Sequence, residues 1–337
     1  MRAVRLIRPG SFVGLDLITS DIPSGTPRDV AIRLHAASLN YRDGLITKGQ
    51  YPGFVRDKVV PLSDGAGEVI AVGSAVTRAA VGDRVVIHCL PRWIDGAFDS
   101  SFVREGFGVS IDGMLSDHAV VDEEAIVKIP DYLSYEEAAS LPCAAVSAWN
   151  ALTDRQSLQP GQTVLVLGTG GVSLFALQIS RMFGARVIAT TSSAAKAEKL
   201  RTLGAAVVLN YQETTDWDGA VLQHTGGLGV DRVVEVGGAG TINRSIACTK
   251  AGGHIGLVGF VSGFGATLDP VSVLGRGITL KGIGIGSRVQ FESLLRAMSA
   301  HRIHPVIDRV FAFEDFRSAF QLLDAGTYVG KILIKID

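Results

Sequence analysis

The hydrophobic and polar positions of this sequence change their pattern once along the chain. Over the first ~120 residues, short apolar runs such as VAIRLHAAS and DRVVIHCL alternate with glycine and proline turns, which is typical of a β-rich domain. After about Tyr132, apolar runs alternate with segments of helical periodicity, which predicts an α/β fold: a parallel, doubly wound sheet with helices on both faces. The tail returns to mixed structure. The simplest arrangement therefore inserts the α/β domain, residues 145–286, between two pieces of the β-rich domain, residues 1–144 and 287–337.

The same pattern places individual elements. Strands of the α/β part are predicted over residues 163–167, 186–190, 206–209, 232–236, 254–258 and 279–285. Helices are predicted over 194–203, closed by Gly204, and over 242–249, before the glycines at 252 and 253. Near the end of the sequence, we expect a helix around 316–323 and a strand over 331–336.

The turn after the first of these strands carries the strongest indication of function. The apolar run VLVL stops at GTGG and gives way to a helix whose apolar face includes Phe175 and Ile179. A helix N-terminus presents unsatisfied N–H groups and partial positive charge, which suits a dinucleotide pyrophosphate. Gly168 permits the tight turn, Gly170 leaves room for phosphate, and Ser173 replaces the usual third glycine. We predict nucleotide binding, rather than an ordinary glycine-rich turn, through Gly168, Thr169, Gly170, Gly171 and Val172.

Composition narrows the possible classes of protein. The 337 residues are 47% hydrophobic and 19% charged, which supports a large core, and a net charge of −1 without a basic block argues against nucleic acid as a partner. The apolar stretches are interrupted by glycine and serine, and MRAVRLIRPG lacks the apolar segment of a signal peptide, so we expect neither a membrane span nor secretion. The cysteines, Cys89, Cys143 and Cys248, are scattered, which favours a reducing, cytoplasmic setting.

Six short segments in this order resemble the medium-chain dehydrogenase/reductase superfamily. They are NYRD at 40–43, GAGEV at 65–69, VGDRV at 81–85, LPCA at 141–144, GTGGVS at 168–173 and GKI at 330–332. The resemblance covers nearly the whole chain. It implies a GroES-like, β-rich substrate domain and a Rossmann nucleotide-binding domain, with hydride transfer to or from nicotinamide in the cleft that the two flank.

The sequence departs from the zinc-dependent members of this superfamily. Aligned by the surrounding motifs, the family's three catalytic zinc ligands correspond here to Asn40, Ser63 and Cys143. A carboxamide and a hydroxyl are poor zinc ligands, and one thiolate would not retain the metal. Residues 91–113 also lack the cysteines of the family's structural zinc lobe. We therefore predict a zinc-independent member in which Cys143 is a small buried residue, with a reactive thiol as the alternative.

The residues after the second strand of the α/β part bear on the choice of cofactor. NAD-specific sheets place a carboxylate at this strand end to bind the ribose diol, whereas no acidic residue occurs here before Glu198. Ser192, Ser193 and Lys196 suit a 2′-phosphate, and Tyr211 matches a position that lines the adenosine site in NADP-dependent relatives. NADP(H) is favoured over NAD(H). In the alternative interpretation, a serine caps the next helix and Lys196 is solvated.

Further cofactor contacts are expected at the carboxyl ends of the later strands, where such folds bind their ligands. Arg288 either reaches a phosphate or begins a helix as a solvated residue. The glycine-rich strand over 282–286 lies where dimers of the family join their sheets, which implies a homodimer. The predicted contacts are Gly237, Val258, Gly259, Ser287 and Arg288.

Without a metal, hydrogen-bond donors must stabilise the charge that develops on the substrate oxygen. Asn40, Tyr41 and Tyr51 are the best side-chain candidates, because their segment forms the substrate cleft in relatives of this family. Asp64, beside the lost histidine position, is expected to position neighbours or to bind a substrate hydroxyl.

The segment 88–113 contains several aromatic residues, and in relatives this segment builds one wall of the substrate entrance. Trp93, Phe98, Phe102 and Phe107 suggest an aromatic rim for a small, hydrophobic substrate. The leading interpretation is a zinc-independent, NADP(H)-dependent oxidoreductase that transfers hydride to an α,β-unsaturated carbonyl or quinone-like substrate. The alternatives are an alcohol dehydrogenase or ketone reductase that works without zinc, and a non-catalytic NADPH-binding sensor or structural protein.

Overall fold

The computed structural model describes residues 1–154 and 156–336, and the chain divides into two compact units. One unit comprises Met1–Val146 and the segment that begins at Gly286, and the other comprises Ser147–Ile285. The inserted unit thus begins at 147 where the sequence pattern suggested 145, and it ends at 285 where the pattern suggested 286. None of the helices in the described ranges is both long enough and apolar enough to cross a membrane.

The first part of the chain is rich in short strands separated by turns, in agreement with its apolar runs. Its strands pair mostly antiparallel, and β3 is the longest of them. The elements are β1 Arg2–Leu6, β2 Leu15–Thr19, β3 Asp29–Leu39, α1 Tyr41–Thr47, β4 Asp64–Val72, β5 Arg84–Ile87, α2 Ser100–Arg104, β6 His118–Asp122, β7 Ile126–Lys128, α3 Tyr135–Ala139 and α4 Ala144–Thr153.

The inserted unit contains a six-stranded parallel sheet with the order β10-β9-β8-β11-β12-β13. The order reverses between β8 and β11, and such a switch point is where open α/β sheets bind ligands. This topology confirms the predicted doubly wound Rossmann fold. The elements are β8 Thr163–Leu167, α5 Gly171–Met182, β9 Arg186–Thr191, α6 Ala194–Thr202, β10 Val207–Asn210, α7 Trp217–His224, β11 Val230–Glu235, α8 Ile242–Ala247, β12 Thr249–Leu257, α9 Pro270–Leu274 and β13 Thr279–Gly282.

Burial explains why β8 and α5 meet closely enough to form a tight turn. Four successive residues of β8, VLVL, are at most 5% exposed, which is expected of a central parallel strand covered on both faces. Phe175 and Ile179 of α5 are buried against the sheet, as the spacing of apolar residues predicted. Ser173 donates a hydrogen bond of 2.6 Å from its hydroxyl to the Leu167 carbonyl. A small side chain thus links helix to strand where the family pattern has glycine.

After the inserted unit, the chain completes the β-rich unit. The elements are α10 Arg288–His301, β14 Ile307–Ala312, α11 Phe316–Ala325 and β15 Lys331–Lys335. β15 joins a sheet of order β14-β15-β3-β4-β5-β7, in which β6 also pairs with β3. β15 runs antiparallel to β3 with Ile332 opposite Leu39. This register brings Lys331 beside Asn40, although the two residues are far apart in sequence.

The last strand of the inserted sheet is shorter than predicted. β13 ends at Gly282, whereas the pattern predicted a strand to residue 285. Ile285 has a φ of +74°, a left-handed conformation that a β-branched residue rarely adopts and that is incompatible with a strand. The expected glycine-rich strand over 282–286 is therefore wrong beyond Gly282. Similarly, α8 ends at Ala247 because β12 begins at Thr249.

Candidate functional site

The turn between β8 and α5 leaves space for a ligand against its backbone. Gly168 has a φ of +76°, and Gly170 is the N-cap residue of α5 with extended backbone. A Cβ atom built at either glycine would meet no heavy atom within 4 Å. The Gly168 N–H is held by the Thr190 carbonyl at 2.9 Å, which anchors the turn to β9. An open cradle at a helix N-terminus fits a pyrophosphate, and Thr169, Gly171 and Val172 continue it.

The end of β9 gathers the residues that were expected around the adenosine ribose. Ser192 and Ser193 are half-buried, and the Tyr211 N–H donates to the Thr191 carbonyl at 2.9 Å, which brings Tyr211 to the same strand end. The Ser193 hydroxyl accepts from the Lys196 N–H at 3.3 Å and caps α6, as the alternative interpretation held for a serine here. Ser193 is therefore engaged in capping α6. Among the hydrogen bonds of the described residues, none gives Ser192 a structural role of this kind.

A buried carboxylate organises the loops at the ends of β11 and β12. Glu235 is fully buried and accepts hydrogen bonds from the N–H groups of Gly237 at 2.7 Å and Gly238 at 3.1 Å. Its backbone carbonyl accepts from Val258 at 2.8 Å and from Gly259 at 3.2 Å. Glu235 therefore fixes three of the predicted cofactor contacts, Gly237, Val258 and Gly259. Glu235 was not among the predicted site residues, although an acidic residue at the end of a buried strand and just before glycine indicates a carboxylate that needs buried hydrogen-bond partners.

Two predicted cofactor contacts are structural. Arg288 begins α10 but is only 6% exposed, and its guanidinium forms ion pairs with Glu124 at 3.0 Å and Glu292 at 3.3 Å. It is therefore neither a solvated residue nor free to reach a phosphate, because its charge is compensated inside the β-rich unit. Ser287 is 1% exposed and caps α10 by accepting from the Gln290 N–H at 3.2 Å.

A closed polar cluster occupies the region of the family's metal positions. Lys331 is buried, and its ammonium donates to the Leu39 carbonyl at 2.7 Å and to Asn40 Oδ1 at 2.6 Å. Asn40 Nδ2 donates to Asp64 Oδ2 at 2.9 Å, and Lys331 Nζ lies 3.8 Å from the same oxygen. Amide oxygen faces the cation and amide nitrogen faces the carboxylate, so the orientation of Asn40 is set from both sides.

The other two metal positions of the family also converge on Asp64. The Ser63 hydroxyl donates to Asp64 Oδ1 at 2.6 Å, and the Cys143 backbone N–H donates to Oδ2 at 3.3 Å. Asp64 is 0% exposed and both of its oxygens accept hydrogen bonds from neighbouring residues, which favours the positioning role over the binding of a substrate hydroxyl. Cys143 is partly exposed rather than buried. Within residues 1–154 and 156–336, no group of three or more His, Cys, Asp or Glu side chains is arranged to hold a metal ion.

The remaining candidate donors differ in their surroundings. Asn40 is 8% exposed and Tyr41, the first residue of α1, is 40% exposed. Tyr51 is half-buried and lines a cavity of about 190 Å³ in the β-rich unit, together with Leu6, Pro9, Ile46, Gly49, Val55, Arg56, Asp57 and Lys58. Tyr51 thus shares the wall of this cavity with apolar and charged residues. In the same segment as Asn40 and Tyr41, burial raises the pKa of Asp43 to about 6, although the Arg42 guanidinium opposes this shift.

The aromatic residues of 88–113 pack mainly on one another. Trp93 is 3% exposed, stacks on Phe102 at 5.6 Å and meets Phe98 edge-on at 5.3 Å, while Phe107 belongs to the core of the unit. The expectation of a rim is therefore wrong for Trp93 and Phe107, because these side chains are consumed by packing. Phe98, at 49% exposed, remains available at the surface.

The burial of His88 makes the stability of the fold depend on pH. It is fully buried beside Phe291 and Arg288, neither ring nitrogen has a hydrogen-bond partner, and burial together with Arg288 lowers its pKa from 6.5 to about 3. Between pH 6.5 and pH 3, only the unfolded chain binds a proton at His88. The contribution of the neutral histidine to the free energy of unfolding is therefore complete above pH 6.5 and is lost as the pH falls toward 3. We expect His88→Leu to be at least as stable at pH 7 and to lose about 2 kcal/mol less between pH 7 and pH 5 in urea unfolding. Equal losses in both proteins would contradict this.

Comparisons with known proteins identify the family. The alcohol dehydrogenase GroES-like domain matches residues 26–131, and the zinc-binding dehydrogenase domain matches residues 171–300. A zinc-type alcohol dehydrogenase-like protein of Schizosaccharomyces pombe is 42% identical over 317 residues, which is 92% of each chain. The chain belongs to the medium-chain dehydrogenase/reductase superfamily and is an NAD(P)H-dependent oxidoreductase.

Solved structures and a further relative extend the comparison. A Sinorhizobium meliloti protein provisionally assigned as an alcohol dehydrogenase has a TM-score of 0.92 and 34% identity over 99% of this chain and 98% of its own. An NAD-dependent alcohol dehydrogenase has a TM-score of 0.90 and 32% identity over the full length of both. A crotonyl-CoA carboxylase/reductase, solved with NADP, has a TM-score of 0.89 and 25% identity over 100% and 95%. The acryloyl-coenzyme A reductase of Metallosphaera sedula is 28% identical over 99% of each chain.

Proposed function

We propose that this protein is a zinc-independent, NADP(H)-dependent reductase of α,β-unsaturated carbonyl or quinone-like substrates. The observation that carries the proposal is the contact of the Lys331 ammonium with Asn40 Oδ1 at 2.6 Å, beside the carboxylate of Asp64. A cation of the protein itself occupies the region where zinc-dependent relatives gather their ligands.

The chemistry of this cluster disfavours zinc. The oxygen of Asn40 accepts from Lys331, and both oxygens of Asp64 accept hydrogen bonds from neighbours in the fold. A divalent cation placed there would be repelled by the ammonium and would find one thiolate, Cys143, among weak ligands. The site therefore has to activate its substrate through hydrogen bonds.

The groups that would act are those of the segment after β3. Bound in the cradle of α5, the nicotinamide cofactor would supply the hydride. Asn40 donates one N–H to Asp64 and accepts from Lys331, which together fix the orientation of its amide. Its second N–H would donate to a developing enolate oxygen. Tyr51 and Tyr41 are the candidate proton donors. An enolate needs weaker activation than a simple alkoxide, which favours conjugate reduction over ketone reduction.

Turnover and metal content test this proposal together. The full-length protein, purified without chelator, is assayed with NADPH against enones, quinones and aldehydes, and with NADP⁺ against alcohols. We expect turnover of enones or quinones with less than stoichiometric zinc by elemental analysis. Activity restricted to alcohols or simple ketones would favour the zinc-free alcohol dehydrogenase, and tight NADPH binding without turnover would favour the sensor. Stoichiometric zinc would overturn the interpretation of Asn40 and Ser63.

The preference for NADP(H) gives a second test, at the end of β9. Ser192→Asp would place a carboxylate where a 2′-phosphate is expected, so the ratio of kcat/KM for NADPH over NADH should fall by ~100-fold, or about 2.8 kcal/mol. Ser193→Asp is the matched control, because aspartate retains the cap of α6 and adds the same charge one residue later. An unchanged ratio in Ser192→Asp, or an equal loss in both variants, would refute the assignment of Ser192.

We also infer a cytoplasmic homodimer. β13 lies at the end of the inserted sheet, and Val271 and Leu274 of the adjacent α9 are 70% and 81% exposed. An open strand edge next to exposed apolar side chains favours pairing with a second copy. Sedimentation analysis of the native protein and of Leu274→Asp tests this: the dimer should dissociate in the variant, and a monomeric native protein would exclude it.

A further inference from the structure

Two cysteines that are distant in sequence meet beside Asp64. The Cys89 thiol donates to the carbonyl of Pro142 at 3.6 Å, and Pro142 directly precedes Cys143 in the chain. The backbone N–H of Cys143 is held by Asp64 Oδ2 at 3.3 Å. Because the Cys89 thiol lies against the peptide that joins Pro142 to Cys143, side-chain rotation is the movement that would bring the two sulfur atoms to disulfide geometry.

The two thiols are unequal in exposure and in acidity. Cys89 is 0% exposed, whereas Cys143 is partly exposed, so a small oxidant in solution meets Cys143 first. The neighbouring Cys89 thiol and the Arg42 guanidinium lower the pKa of Cys143, although burial opposes them. Burial raises the pKa of Cys89 well above its ordinary value. One thiol is therefore reachable from solvent, and the other is a buried neighbour.

We propose that Cys143 and Cys89 form a peroxide-sensitive thiol pair, in which hydrogen peroxide oxidises Cys143 and Cys89 converts the product into an intramolecular disulfide. In the first step the Cys143 sulfur attacks the O–O bond, an S–O bond forms, the O–O bond breaks and water leaves. In the second step the Cys89 sulfur attacks the Cys143 sulfur, the S–S bond forms, the S–O bond breaks and a second water leaves. One peroxide is reduced to two waters while two thiols are oxidised to one disulfide.

This modification site is independent of the reductase reaction proposed above, because it requires neither the cofactor nor the substrate. Cys248 provides a control within the same chain. It is fully buried, donates to the Ser245 carbonyl at 3.6 Å, and burial raises its pKa to about 12. It should remain a thiol under conditions that oxidise the pair.

Peptide mapping of the native, full-length protein tests the proposal without any variant. The protein is treated with hydrogen peroxide, denatured in the presence of iodoacetamide, which alkylates the remaining thiols, and digested without reductant. We expect a cross-linked peptide pair containing Cys89 and Cys143, a loss of about 2 Da in the intact protein, alkylated Cys248, and full reversal by dithiothreitol. The proposal is overturned by oxidation of Cys143 to sulfinic acid without a cross-link, by a cross-link to Cys248, or by a Cys143 thiol that outlasts free cysteine.

Variants then assign the order of the steps. In Cys89→Ser, the reaction should stop at the Cys143 sulfenic acid, which dimedone traps, whereas Cys143→Ser should consume no peroxide at this site. Arg42→Met should slow the oxidation of Cys143 at neutral pH by ~10-fold, because the cation that favours the thiolate is removed. Dimedone labelling of Cys89 instead of Cys143 would reverse the assigned roles.

Discussion

Replacing Gly170 by aspartate should weaken NADPH binding strongly while leaving the fold intact. Gly170 is the N-cap of α5 with φ −73° and ψ 174°, a conformation open to any residue, and a Cβ there meets no neighbour within 4 Å. Aspartate is a favourable N-cap, so the melting temperature should be unchanged or slightly higher. Its carboxylate would occupy the phosphate cradle, and we expect the Kd for NADPH to rise at least ~100-fold, or about 2.8 kcal/mol.

Gly170→Asn is the matched control for this variant. Asparagine has the same shape and is also a good N-cap, but it carries no charge, so it should weaken binding by only ~10-fold through its size. Titration calorimetry at low and high salt separates the two effects, because only the aspartate variant should recover affinity as salt screens the repulsion. Wild-type affinity in Gly170→Asp would show that the phosphates lie elsewhere.

Lys331→Met should produce the largest loss of stability among the substitutions considered. It leaves the fully buried Asp64 carboxylate without its cation, and breaking a buried pair in this way costs about 3–5 kcal/mol. The matched variant is Asp64→Asn combined with Lys331→Met, which removes both charges and keeps the shapes. We expect the double variant to lie within ~1.5 kcal/mol of the wild type in urea unfolding. A double variant as unstable as Lys331→Met would refute a direct charge pairing.

What could be predicted from the sequence was what depends on neighbouring residues. The strand TVLVL, the turn at Gly168 and the apolar face of α5 follow from local periodicity and backbone freedom, and the structure has them where the pattern placed them. The Rossmann fold followed because each βα unit carries its own signal. The predicted strand over 279–285 was too long in this unit: β13 ends at Gly282, and the left-handed backbone of Ile285 excludes residue 285 from a strand.

The charge network could not be predicted, because it depends on strand pairing over long sequence separation. The GKI segment was recognised, yet Lys331 meets Asn40 only through the register of β15 on β3. Likewise, the burial of Arg288 depends on Glu124, which lies in another part of the chain. Trp93 was expected at a rim because its hydrophobicity predicts burial but does not identify the side chains that bury it. Its partner proved to be Phe102.

The register of β15 also has a consequence for the order in which the protein is made. Asn40 and Asp64 are synthesised early, whereas the ammonium that neutralises their cluster comes from Lys331, 291 residues after Asn40. The strands β8 to β13, in contrast, are supplied by one continuous stretch, 147–285. On the ribosome, the nucleotide-binding unit can therefore complete its sheet first, while the nascent β-rich unit holds the Asp64 carboxylate without its cation until β15 emerges.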